Sequence, residues 1–107
     1  VKNELYAWKA ALKDYDKAIE IAPDFASALV NRGSTRDENG DHKGAIEDYE
    51  RALSIENLDE GNKVSAYFNR GNSHFNLKEL DKACSDWKKA LTLGGDYAQQ
   101  RLDEYCE

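Results

Sequence analysis

Apolar residues recur at steps of three and four along most of the chain, the spacing of an amphipathic helix. The first stripe runs through Trp8, Ala11, Leu12, Tyr15, Ala18 and Ile19. Pro23 ends it, because proline has no N–H to donate and its ring restricts the residue before it. Asp24 stands where an N-cap would, ahead of a second helix with Ala28, Leu29 and Gly33 on one face. A glycine inside a helix costs about 1 kcal/mol relative to alanine. Close approach of a neighbouring helix is the reason to accept that cost at Gly33. Asn39-Gly40 marks a turn, and Asp41 can cap a third helix carrying Ala45, Ile46, Tyr49, Ala52, Leu53 and Ile55. A polar connection follows from Glu56 to Lys63. The fourth helix carries Ala66, Tyr67, Gly71 and Phe75, turns near Lys78-Glu79, and meets a fifth from Leu80 to Leu93. Gly94-Gly95 stops that helix, and Asp96 can cap a last one with Tyr97, Ala98, Leu102, Tyr105 and Cys106.

The helices repeat. Three stretches align without gaps: DYDKAIEI from Asp14, DYERALSI from Asp48 and DWKKALTL from Asp86. Their spacing, first 34 and then 38 residues, is that of a helical repeat array. Asn31-Arg32-Gly33 recurs as Asn69-Arg70-Gly71, and Ala45 recurs as Ala83.

On these residues the chain resembles the tetratricopeptide repeat (TPR) family. The bulky residue four before the glycine is Leu29 or Tyr67, and the glycine itself is Gly33 or Gly71. The alanine opening the second helix is Ala45 or Ala83, the aromatic Tyr49 or Trp87, and the later alanine Ala52 or Ala90. Pro23 fills the family's proline position once; Asn57 and Gly95 replace it elsewhere. Arg36 and His74 replace the family's aromatic just after the glycine, a departure expected to loosen packing within each repeat. The resemblance implies an all-α fold of antiparallel helix-turn-helix repeats stacked in a right-handed superhelix. It further implies one domain over 1–107, with an incomplete first repeat (1–25), repeats at 26–59 and 64–97, and a capping helix at 98–107. Val1–Leu5 reads as the tail of something cut short, so that the first unit supplies its second helix and only a stub of its first. The N-terminal helix should then keep an exposed apolar side. Two readings of that side stay open: a native partner helix lay upstream, or a second chain pairs there and makes a homodimer.

Composition narrows the function. A formal charge of −6 argues against tracking a nucleic-acid backbone or an anionic membrane surface. No apolar run approaches the roughly 18 residues of a membrane span. No leader segment is evident, which leaves export undecided.

The chemistry-bearing residues are few. His42 is expected in solvent beside Asp41, and His74 as a satisfied, partly buried side chain. Neither forms a nucleophile–base or metal-ligand set, so no catalytic residue, metal or cofactor is expected. Asp37, Asn39 and Gly40 imitate the middle of a calcium loop, but Thr35 and Ile46 occupy its first and last acidic places. Arg32 is expected to pair with Asp48 or Asp14, and Arg70 with Asp86 or Asp48, fixing the register of each hairpin. Cys84 and Cys106 fall at about the same height of an antiparallel pair turning at Gly94-Gly95, so a disulfide or two packed thiols both fit. Reduced thiols would suit the cytoplasm and a bridge the periplasm or secretion. The run ACSDWKKALTLGG with a closing YC also resembles the C-terminal ends of some bacterial TPR proteins.

The resemblance implies that the first helix of each unit lines a concave groove. That face carries Val30, Asn31 and Ser34, then Phe68, Asn69, Asn72, Phe75 and Asn76. Phe68, Asn72 and Phe75 form one helical stripe, suited to an extended peptide unless the rings belong to the core. Basic residues that would clamp a terminal carboxylate are missing: Ser27, Val30, Ser65 and Phe68 stand there. The expected function is non-catalytic binding of a neutral to basic protein segment. The alternative is a structural oligomerisation module built on the N-terminal helix.

Overall fold

A computed structural model describes residues 2–106, with side chains described from 7 to 106. Six helices follow one another: α1 Lys2–Ile21, α2 Ala26–Glu38, α3 His42–Leu53, α4 Glu60–Asn76, α5 Leu80–Thr92 and α6 Ala98–Tyr105. Each packs on the next, and α2 also touches α4. The expected all-α superhelical stack of antiparallel hairpins is therefore what the chain forms. No strand occurs among the described residues.

Two glycines set the crossings. A β-carbon added at Gly33 would lie 2.6 Å from the Tyr49 ring, and one at Gly71 2.7 Å from the Trp87 ring. Each aromatic of a second helix thus lies directly on the glycine of the first. Tyr49 and Trp87 are the two largest wholly buried side chains and centre two cores. The first core gathers Ile19, Leu29, Val30 and Ala52, and the second Val64, Ala90 and Leu102.

The helix ends differ from expectation in places. Asp41 caps α3 through Gly44 N–H, but Asp24 and Asp96 cap nothing. Backbone turns do that work: Phe25 N–H donates to the Ala22 carbonyl, and Ala98 N–H to the Gly95 carbonyl. These bonds carry the chain into the next helix at Phe25 and Tyr97, one residue past each aspartate. Asp59, inside the expected connection, accepts from Asn62 N–H and starts α4 early. Helix α3 stops at Leu53, before Ile55, which packs against the first core from the connection. The expected stub of an earlier helix is not a separate element, because α1 runs unbroken from Lys2. Val1, and the side chains of the expected tail through Leu5, lie outside the described residues.

Candidate protein-binding face

The two Arg–Gly pairs place the site's framework. Arg32 grips Asp48 with two bonds, Nε at 2.9 Å and Nη2 at 2.7 Å. Arg70 holds Asp86 in the same way, at 2.8 and 2.7 Å. Both aspartates are nearly inaccessible, at 2% and 4% exposure. This planar two-pronged geometry suits guanidinium and carboxylate, and it raises both arginine pKa values through the bonds to their aspartates. Each arginine also reaches back to the preceding unit, Arg32 to Asp16 at 2.9 Å and Arg70 to Glu50 at 4.0 Å. Asp14, one of the two candidates for Arg32, is exposed and not its partner; Asp48, the other candidate for Arg70, is held by Arg32 and Arg36. The second acid sits two residues later on α1, where a one-sided helix turns it toward α2.

A second polar cluster joins the repeats. Asp37 accepts from the Tyr49 hydroxyl at 3.0 Å and from Ser73 Oγ on α4 at 2.5 Å. It also lies 2.8 Å from His42 Nδ1, so His42 is engaged rather than free in solvent. Burial first, then Asp37, pushes the Tyr49 phenol well above its usual range. His74 is buried and bonds Glu79 through Nδ1 at 2.8 Å, which holds the Glu79 carboxyl below the usual range. The arginine and histidine that replace family aromatics therefore serve polar contacts: Arg36 bonds Asp48 at 3.0 Å.

The expected groove residues divide. Val30 is 6% exposed and belongs to the first core, so it is no binding residue; its β-branched chain faces inward beside Leu29. Asn72 accepts from the Trp87 indole N–H at 3.1 Å, which commits its carbonyl oxygen to the fold. Phe75 packs between Trp87 and Tyr105, centroids at 5.8 and 4.5 Å, and is a core ring. Phe68 is half-buried, edge-on to Tyr97 at 4.6 Å, with the Arg101 guanidinium 5.8 Å from its ring. Asn31 and Asn76 are exposed, and Ser34 and Asn69 partly so. Among the described residues these four side chains make no hydrogen bond. Tyr97, just ahead of α6, and Arg101 on α6 border the same face. Arg101 carried no signal in the sequence, because the capping helix belongs to no repeat and has no register to read.

The Cys84 and Cys106 sulfurs lie at bonding distance, 2.02 Å, tying α5 to the end of α6. No group of three metal-ligating side chains gathers among the described residues, and no described helix is long and apolar enough to cross a membrane.

Residues 14–47 and 64–97 each match a family model described as tetratricopeptide repeat. Tetratricopeptide repeat protein 36 of Danio rerio is 36% identical over 92 residues, covering 86% of this chain and 49% of that protein. Its Homo sapiens counterpart is 33% identical over the same length and share. Tetratricopeptide repeat protein 14 of Mus musculus is 33% identical over 107 residues, 91% of this chain and 14% of that protein. The chain thus spans about half the length of the protein 36 relatives it matches. The crystal structure of MamA superposes with a TM-score of 0.48 at 16% identity, over 87% of this chain and 72% of that one. Two matched repeats, which together take in more than half of the chain, place it in the tetratricopeptide repeat family.

Proposed function

We propose that this chain is a non-catalytic protein-interaction module that holds an extended, neutral to basic peptide segment across the face of α2 and α4. Repeats of this family generally mediate protein–protein interaction. The observation that carries the finer reading is the pair Asn31 and Asn69. They occupy equivalent places in two successive repeats, each beside its arginine, and their amides are uncommitted among the described residues. An extended backbone offers alternating donors and acceptors, and an amide side chain can meet both at once. Asn76 and Ser34 extend the row. Phe68, with Tyr97 and Arg101 around it, supplies a partly apolar edge that a peptide side chain could cover. The chain's −6 charge disfavours an acidic ligand at low salt.

The test is a fluorescence-anisotropy screen of peptide pools graded from acidic to basic. Neutral to basic pools should bind, and Asn31→Ala with Asn69→Ala should weaken them about tenfold, as loss of two interfacial hydrogen bonds would. Equal binding by wild type and the double variant would remove these amides from the site. Preference for acidic pools would overturn the charge reading.

A further inference from the structure

Two polar groups on the face of α4 and α6 cannot choose their bonds. The Trp87 indole N–H, which only donates, takes the Asn72 carbonyl oxygen at 3.1 Å. That bond fixes which way the amide is turned and leaves the partly exposed Asn72 with its NH2 group to offer. Arg101 is placed by the same indole and by Phe68: its guanidinium lies 6.0 Å from the Trp87 ring and 5.8 Å from the Phe68 ring. A guanidinium has no acceptor. Among the described residues Arg101 forms no hydrogen bond or ion pair, so its donors are unspent. Asn31, Ser34 and Asn69 can turn to donate or to accept, whereas Asn72 and Arg101 can only donate. The pinned pair therefore decides the ligand, and its complement is a backbone of acceptors. Proline supplies one, because it keeps the carbonyl and has no N–H.

Spacing favours the same segment. Helices α2 and α4 touch; Asn31 and Asn69 hold equivalent places on them, as do Ser34 and Asn72. Equivalent residues on packed helices lie about 8–10 Å apart. A polyproline II helix repeats every three residues, about 9 Å, so successive turns meet successive repeats. A β-strand repeats every two residues, about 7 Å, and falls out of step. Phe68 and Tyr97, edge-on at 4.6 Å, add an aromatic wall whose Tyr97 ring is 54% exposed. Proline-rich segments dock on walls of this kind, and their preformed helix loses little entropy in doing so.

We infer that the segment held across α2 and α4 is proline-rich and bound as a polyproline II helix. Its carbonyls accept from Asn72 and Arg101, and a proline ring lies against Tyr97. This rests on the peptide-binding reading above and narrows its ligand.

The test titrates the whole chain into two fluorescein-labelled peptides of equal length and charge, one proline-rich and one with alanine for each proline. The proline peptide should bind about tenfold tighter. Asn72→Asp keeps an oxygen for the Trp87 indole and removes the donors, so the thermal midpoint should hold. It should cancel the preference, because a carboxylate repels carbonyls and accepts the N–H groups that the alanine peptide regains. Tyr97→Ala, which removes an exposed ring, should weaken the proline peptide more than the alanine peptide. Equal binding of the two peptides by the wild-type chain overturns this inference and leaves the peptide-binding reading standing. Binding of neither overturns both. A preference that survives Asn72→Asp and Tyr97→Ala overturns the inference as well, since neither the donors nor the ring then reads proline.

Discussion

Helices α1 and α5 are written in nearly the same words and live in different surroundings. DYDKAIEI and DWKKALTL share the acid, the aromatic, the alanine and the branched residues at the same offsets. On α5 the aromatic is wholly buried, the acid is gripped by Arg70, and α6 closes the far side. On α1 the aromatic is half-covered and the first acid faces water. The difference teaches that an octapeptide specifies a face, while the neighbours decide how much stability the face yields. Burial is a property of the pair.

The sharpest way to break this comparison is to truncate the two aromatics. Trp87→Ala should cost about 3–5 kcal/mol in urea unfolding, through lost burial and the cavity left behind. Tyr15→Ala should cost less than half as much, since its ring is partly in water already. Equal losses would mean that α1 is covered in solution.

Next come the arginines. Arg70→Ala leaves Asp86 buried with, among the described residues, His74 Nε2 as its remaining cationic neighbour, at 3.9 Å, and should cost about 3 kcal/mol. Arg32→Ala should cost clearly less, because Arg36 still bonds Asp48 at 3.0 Å. Thermal unfolding of the two variants side by side measures the difference; the reverse order would show that Arg36 does not support Asp48.

Opening the Cys84–Cys106 bridge removes a closed segment of 22 residues, worth about 3 kcal/mol on the chain-entropy account and less if the reduced chain stays ordered. The loss should localise. Amide exchange should quicken at Ala98–Tyr105 and stay unchanged in α2 and α3.

The smallest effects are those of pH. The Glu79 carboxyl is held low by its bond to His74, then by Lys82 nearby. A carboxyl whose folded pKa is lowered adds stability above its unfolded value and loses it as pH falls through the folded one. Acid titration should therefore weaken the chain below about pH 4.3, and Glu79→Gln should flatten that slope. Tyr49 acts at the other end. Its raised phenol adds stability below the unfolded value of about 10 and loses it as pH rises beyond. Tyr49→Phe should abolish that alkaline decline, and Trp87, which does not titrate, contributes none.

The site was legible only in part. Periodicity located the helices within a few residues, since a 3.6-residue stripe needs no tertiary information. The helix starts at Asp24 and Asp96 were misplaced because a side chain able to cap was present while the backbone turned without it. Val30 and Phe75 were placed on the groove because a helical wheel gives a direction, and both directions meet a neighbouring element. Asn72 falls on the groove face of the wheel as well, and nothing local says that the Trp87 indole N–H takes its carbonyl oxygen.

What this sequence determined by itself is the array: helices from the apolar stripe, close crossings from Gly33 and Gly71, and an acid on every second helix. These follow from short-range sterics and from a pattern repeated in register. Tertiary structure alone decided which copies of the pattern are satisfied. Whether Asp14 or Asp16 meets Arg32, whether Phe68 or Phe75 faces outward, and whether Tyr15 is covered all depend on a second helix's position. One repeat's residues cannot encode that, because each face is completed by a neighbour.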